Sequence, residues 1–155
     1  METYPRIEPY IEGIWPKKAQ VQQLKIRGWV FNTSFNQIQF CRENSISFYQ
    51  IDGEILFLEI RDKPILPMLR LLHKYPFMMD PMQCDKGAIK HIFTGSHVMA
   101  PGLTSPGGVV CPDLDVDAPV AITAEGKQHA MAIGILTMDS ESIVTQNKGQ
   151  AIEVY

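Results

Sequence analysis

Hydrophobic positions along the chain change period several times, and each change marks an element. Tyr10, Ile11, Ile14 and Trp15 recur at helical spacing, and Pro16 closes that helix. Val21, Leu24 and Ile26 begin a strand. Residues 27–43 are apolar in two short extended pieces, with a turn at Asn32-Thr33-Ser34. Ile46 and Phe48 alternate with Ser45, Ser47 and Tyr49. Asp52-Gly53, a preferred two-residue hairpin turn, then returns the chain into the strand Glu54–Ile60. That strand is apolar enough to be covered on both faces. Leu69, Leu72 and His73 share one face of a helix predicted over residues 64–75, with Pro67 in its first turn and Pro76 ending it. Phe77, Met78, Met79, Pro81 and Met82 form an apolar crossing without a Gly/Ser linker, taken as the domain boundary.

The next stretch, Cys84–Gly108, organises the second half. Ile89, Ile92 and Phe93 read as an apolar strand before Gly95. Ser96 is a good N-cap for one helical turn, His97–Ala100. Pro101 should end that turn and Gly102 should take a positive φ, with Leu103 returning to the core. Ser105-Pro106-Gly107-Gly108 is a second turn. The expected product is a small concave loop whose helix N-terminus, at Gly95-Ser96, offers free N–H donors to a phosphate. Val109–Cys111 reads as a short strand and Pro112–Asp117 as an acidic loop. Pro119–Ala124 and His129–Met138 read as strands joined through Glu125-Gly126-Lys127-Gln128. Asp139 or Ser140 caps a helix ending near Lys148-Gly149, and Ala151–Tyr155 is a last strand.

Composition narrows the class. With 155 residues and 45% hydrophobic content, the chain can bury a core in one or two small domains. No apolar run reaches the roughly 18 residues of a membrane span, and the N-terminus has no secretory h-region. Cys41, Cys84 and Cys111 are sparse and odd in number, which fits a reducing, cytoplasmic setting. The net charge of -3 gives no bulk argument for nucleic acid, so any RNA contact needs a local patch.

Most site chemistry is excluded by spacing. His73, His91, His97 and His129 lack zinc-ligand spacing, and no metal site or cofactor is expected. His73 beside Lys74 suits a helix C-terminus, and His129 suits a structural place at the hairpin base. Asp113, Asp115 and Asp117 alternate, but Ala118 and Ala124 stand where a calcium loop needs glycine and glutamate. There is no nucleophile elbow and no P-loop. No enzyme activity is expected.

One patch remains. Residues 61–91 carry six cations, Arg61, Lys63, Arg70, Lys74, Lys86 and Lys90, against three anions, Asp62, Asp80 and Asp85. Lys86 and Lys90 lead into the glycine loop, where phosphate contacts would set affinity without reading sequence. Met99, Pro101 and Leu103 give the loop an apolar wall suited to a splayed base. The competing readings are a solvated surface for the lysines and core or cap positions for the apolar residues.

Gly95-Ser96-His97-Val98-Met99-Ala100-Pro101-Gly102-Leu103 resembles the glycine loop of PUA domains, an RNA-binding module. Leu69–Phe77, Asp85–Lys90, Pro101–Gly107 and Ala124–Ala130 resemble the malignant-T-cell-amplified-sequence family, as do Ile7-Glu8-Pro9 and Pro16-Lys17-Lys18. The resemblance implies an α+β fold: a small mixed pre-PUA domain over residues 1–83, then a PUA pseudo-β-barrel over 84–155. It implies a non-enzymatic translation factor that pairs with density-regulated protein on the small ribosomal subunit in re-initiation and recycling. The PUA loop would hold a tRNA acceptor end through Lys86, Lys90, Gly95, Ser96, His97, Met99, Pro101, Gly102, Leu103 and Lys127. An accessory subunit of an RNA-modification complex is the alternative. Residues 27–43 have no counterpart in the family pattern. They are read as an inserted hairpin, with a faulty gene prediction or a new partner surface as the other readings. The family's first strand and helix and its closing strand are expected to be missing from the two ends.

Overall fold

The computed structural model describes residues 22–26, 29–33, 36–41, 46–51 and 54–155. The helix expected at Tyr10–Trp15 and the Asp52-Gly53 turn lie outside them. The chain divides into two compact units, Met1–Met68 and Leu69–Tyr155.

The described residues of the first unit form mainly strands. β1 (Gln22–Ile26) pairs antiparallel with β2 (Trp29–Thr33), with Ile26 opposite Trp29. β3 (Asn36–Cys41), β4 (Ile46–Ile51), β5 (Glu54–Ile60) and β6 (Leu66–Pro67) follow one another in a four-stranded sheet. The expected hairpin at 27–43 is thus split, since β2 pairs back onto β1 while β3 pairs forward onto β4. Asn32 and Thr33, read as a turn, are strand residues. The β4–β5 hairpin forms as predicted, with a bulge between Tyr49 and Gln50. Tyr49 and Phe57 face each other in register and are both buried, so Tyr49, assigned to the polar face, points inward instead. Its hydroxyl donates to the Glu59 carboxylate, and burial pushes the phenol well above its ordinary pKa. β5 is not covered on both faces, because Ile55 is exposed. The helix expected from residue 64 starts later. Leu66 and Pro67 form the edge strand β6, where a missing N–H is tolerated, and Pro67 pairs with Phe57.

The second unit begins with α1 (Leu69–Lys74), which buries Leu72 and ends before Pro76 as expected. The apolar crossing becomes a 3-10 turn, Pro76–Met78, and a strand, β7 (Asp80–Cys84). Met78, Met79 and Met82 are buried; Phe77 and Pro81 are exposed. Next come α2 (Lys86–Phe93), β8 (Val98–Met99), α3 (Ala100–Thr104), β9 (Pro119–Ala124), β10 (Ala132–Leu136), α4 (Ser140–Gln146) and β11 (Gln150–Val154). The strands form one curled mixed sheet in the order β7-β9-β10-β11-β8. β7 and β9 are parallel, and a parallel pair needs a long crossover. Residues 85–118 supply it, and they carry α2, β8 and α3. The core fills the curl with Met82, Ile92, Leu103, Ile122, Ile143 and Ile152, among others.

Several strand and turn expectations hold. β9 has the predicted bounds, the Ser105–Gly108 turn closes through Gly108 N–H to Ser105 O at 2.8 Å, and Asp139 caps α4. β10 is shorter than the predicted 129–138 strand, because its pairing with β9 starts at Ala132 opposite Ile122. Val109 contributes a single bridge to Gln83 rather than a strand.

Candidate nucleic-acid interface

The decisive local departure is at residues 86–93, expected as a strand and found as α2. Asp85 starts this helix: its carboxylate accepts from the Ala88 N–H at 2.7 Å. Ala88, Ile89 and Ile92 then turn inward while Lys86, Lys90, His91 and Phe93 stay exposed, a helical spacing. The β-branched isoleucines favoured a strand reading, but the cap and the inward stripe prevail. Phe93, read as part of the apolar strand, is 71% exposed.

Gly95 and Ser96 are therefore at the end of a helix, not at its beginning. Gly95 takes φ +85, its N–H donates to Ile92 O at 3.0 Å, and the Ser96 N–H donates to His91 O at 3.0 Å. These two bonds make a Schellman ending, which uses up the N–H groups that were expected to face a phosphate. The sign of the helix-end charge is also reversed, since carbonyls collect here. Ser96 is not an N-cap, and His97–Ala100 is not a helical turn. Val98 and Met99 form β8 against β11, with Met99 opposite Gln150 and Val98 opposite Ile152. His97 is fixed there because its Nδ1 accepts from the Val154 N–H at 3.1 Å, leaving the proton on Nε2.

The helical turn starts three residues later than expected, at Ala100 instead of His97. α3 starts after Met99, and Pro101 sits in its first turn instead of ending it. Gly102 is helical and is not among the residues with positive φ. It packs against α2, and a Cβ there would make only ordinary contact with the Ala88 Cβ, at 3.5 Å. The Asp85 N–H also donates to Gly102 O at 2.9 Å. Asp85 therefore ties the start of α2 to α3 by its backbone and caps α2 by its side chain.

Between α2 and the β8–α3 segment lies a cleft of about 750 Å³, within the rough 300–1,000 Å³ range of small-ligand pockets. One wall is Gly87, Ala88, His91 and Ile92. The other is Ser96–Met99 with Pro101, Gly102 and Ser105, and Asp85 and Gln150 lie at its margins. Five residues predicted from sequence line it: Ser96, His97, Met99, Pro101 and Gly102. Met99 is half exposed there, whereas Leu103 is buried in the core and Gly95 acts through the end of α2. Lys86, Lys90 and Lys127 lie outside the cleft on exposed surface. Lys86 Nζ is 3.8 Å from Glu125 Oε1, an exposed pair of small energetic weight. Lys90 is one helical turn beyond Lys86. Asp85, Gly87, Ala88, His91, Ile92, Val98, Ser105 and Gln150 also line the cleft and were not among the predicted site residues. The Asp85-x-x-Ala88 cap followed by inward Ile89 and Ile92 was the available signal for the first four. Gln150 arrives only through sheet pairing.

Metal chemistry has no donor set here: no group of three or more His, Cys, Asp or Glu residues is placed for a metal among the described residues. None of the described helices is long and apolar enough to cross a membrane.

A curled mixed sheet crossed by short helices, preceded by a small β-rich unit, defines a pre-PUA and PUA domain protein. The profile of the pre-PUA-like domain matches residues 1–76, and that described as "elF2D, PUA domain" matches residues 82–155. Two solved archaeal structures share the fold. A hypothetical protein from Pyrococcus horikoshii has TM-score 0.61 and 22% identity over 81% of this chain and 75% of its own. A conserved PUA domain protein from Thermoplasma acidophilum has TM-score 0.56 and 22% identity over 78% and 74%.

The chain belongs to the malignant-T-cell-amplified-sequence family. It is 44% identical to malignant T-cell-amplified sequence 1 of Rattus norvegicus, over 99% of this chain and 75% of that protein. Human malignant T-cell-amplified sequence 2 is 43% identical over the same shares, and the Drosophila melanogaster homolog 41% identical over 100% and 76%.

Proposed function

We propose that this chain is an RNA-binding translation factor whose cleft holds the acceptor end of a tRNA. The observation that carries the reading is the cleft itself: an apolar wall with half-exposed Met99 and Pro101, two imidazoles, and exposed lysines on the adjoining helix. Single-stranded RNA ends are recognised by such mixed surfaces, where bases pack on apolar or aromatic side chains and cations take the backbone. In this reading Met99 and Pro101 pack against a terminal base, and His91 and His97 flank it. Lys86, Lys90 and Lys127 neutralise phosphates. Lys86 can exchange the weak Glu125 contact for a phosphate.

Family membership supports the wider setting. We infer work in the cytoplasm with a density-regulated-protein-like partner on the small ribosomal subunit, in re-initiation and recycling. The part played is binding, not catalysis.

The test is anisotropy with an acceptor minihelix, intact and trimmed at its 3′ end, at several salt concentrations. Met99→Asp should abolish the preference for the intact end, because it places an anion where the base packs. Lys86→Ala or Lys90→Ala should weaken all RNAs alike and lower the salt slope by about one unit or less for each lost contact. If trimming the end changes nothing in the parent protein, the cleft does not read an acceptor end.

A further inference from the structure

Charge in residues 69–155 is sorted along the strands. β7 and β9 are parallel, with Asp80 opposite Val120 and Cys84 opposite Ala124. Their N-terminal ends carry Asp80 and the loop of Asp113, Asp115 and Asp117. β10, running the other way, delivers Asp139 and Glu141 to that same end. The C-terminal ends of β7 and β9 carry Lys86, Lys127 and His129. The six residues of β9 keep the two ends about 20 Å apart.

α1 adds to the basic end. His73 Nε2 lies 2.7 Å from Ala130 O, and since a carbonyl only accepts, this nitrogen carries the proton. The His73 and His129 rings stand 5.5 Å apart. Lys74 is the next residue, and Arg70 is one helical turn earlier; both are exposed. This half of the chain has six Lys and Arg against nine Asp and Glu, yet five of the six cations, all but Lys148, lie on α1, on α2 or in the β9–β10 loop. Two carboxylates lie nearby: Asp85 caps α2, and Glu125 makes a weak exposed pair with Lys86, so cations still outnumber them five to two. Crowding cations at one end of a net-acidic unit costs self-repulsion, and a polyanion is the partner that reverses that cost.

We propose that Arg70 and Lys74, latched to the β9–β10 loop through His73, form a second RNA subsite. It takes the backbone phosphates of the double-stranded stem that continues from the end held in the cleft. This rests on the RNA reading above. Backbone contacts of this kind set register and affinity without reading base sequence. The stem is the occupant because a duplex offers a denser array of phosphates than a single strand.

Two RNAs separate the subsites: a minihelix, and a short single-stranded oligonucleotide with the same 3′ end. Binding of the full chain to each is measured across salt concentrations, for the parent and for the double variant Arg70→Glu with Lys74→Glu. The expected result is at least about tenfold weaker minihelix binding, a salt slope lower by about two, and an unchanged oligonucleotide affinity. Equal loss on both RNAs, or no loss on either, overturns the second subsite. Failure of the parent to bind either RNA overturns the RNA reading as well. If the double variant melts early, Arg70→Gln with Lys74→Gln keeps the side-chain volume, and the same contrast between the two RNAs decides.

Discussion

Two short helices of the second unit, α2 and α4, are built alike and used differently. Each starts at an aspartate outside the helix, whose carboxylate accepts from the N–H three residues on: Asp85 from Ala88 at 2.7 Å, Asp139 from Ser142 at 2.8 Å. Each is followed by a residue in the left-handed region, Gly95 at φ +85 and Asn147 at φ 45. Each buries one isoleucine, Ile92 or Ile143. Their outer faces differ. α2 presents Lys86, Lys90, His91 and Phe93 and forms a wall of the cleft. α4 carries Glu141 and Val144 outward, and its buried Ser140 hydroxyl donates to Cys111 O at 2.6 Å. Caps and a buried stripe are enough to place a helix; what it can bind is decided by side chains that contribute nothing to placing it.

The largest expected effect lies between the buried and outer faces. Ile143→Ala removes a side chain with no exposure and should cost about 2–5 kcal/mol. At this chain size that lowers Tm by roughly 2–4 °C per kcal/mol. Phe93→Ala should stay within about 0.5 kcal/mol, although the residue is larger, because its ring is mostly in water. Thermal melts of the two variants check this. A Phe93→Ala loss as large as that of Ile143→Ala would mean that Phe93 is covered by something beyond this surface.

Next come the glycines beside the cleft. Gly95→Val should cost about 1–3 kcal/mol through the backbone alone, because nothing lies within 4 Å of its Cβ position. Gly102→Ala should be neutral or up to about 1 kcal/mol stabilising, since the residue is helical and its Cβ would make ordinary contact with Ala88. Denaturant titration of both variants decides the matter. The reverse order would return Gly102 to the left-handed position that its Pro-Gly context suggested.

That exchange of roles shows what the sequence could convey. Val120, Ile122 and Ile133–Leu136 announce strands because apolar runs bounded by turn residues admit few other readings, and Asp139 sits where a cap must be. The stretch 86–104 is harder, because several local preferences compete. Ile89 and Ile92 favour a strand, Pro101-Gly102 favours a helix end, and Ser96 favours a helix start. Tertiary structure overrules all three by pairing Val98 with Ile152 and by seating Ala88 against Gly102. The cleft was still partly legible, since the resemblance to a glycine loop selected five residues of its lining. The opposite wall was not, because it exists only once Asp85 has started α2. The charge sorting along β7 and β9 depends on strand direction, which composition does not contain.

The smallest expected effect tests the caps themselves. The Ser142 backbone N–H, then its hydroxyl, hold the Asp139 carboxyl below its ordinary pKa. A carboxyl lowered on folding stabilises the native state above the unfolded value, and that stabilisation is lost as pH falls through the folded value. The parent should therefore lose a little stability below about pH 4, where a free aspartate begins to protonate. Asparagine is also a good N-cap but does not titrate, so Asp139→Asn should keep the neutral-pH Tm nearly unchanged and flatten that part of the acid limb. Tm measured from pH 3 to pH 7 for the parent and Asp139→Asn decides it. Acid limbs that are identical in the two proteins would show that the α4 cap holds Asp139 no more strongly than solvent does.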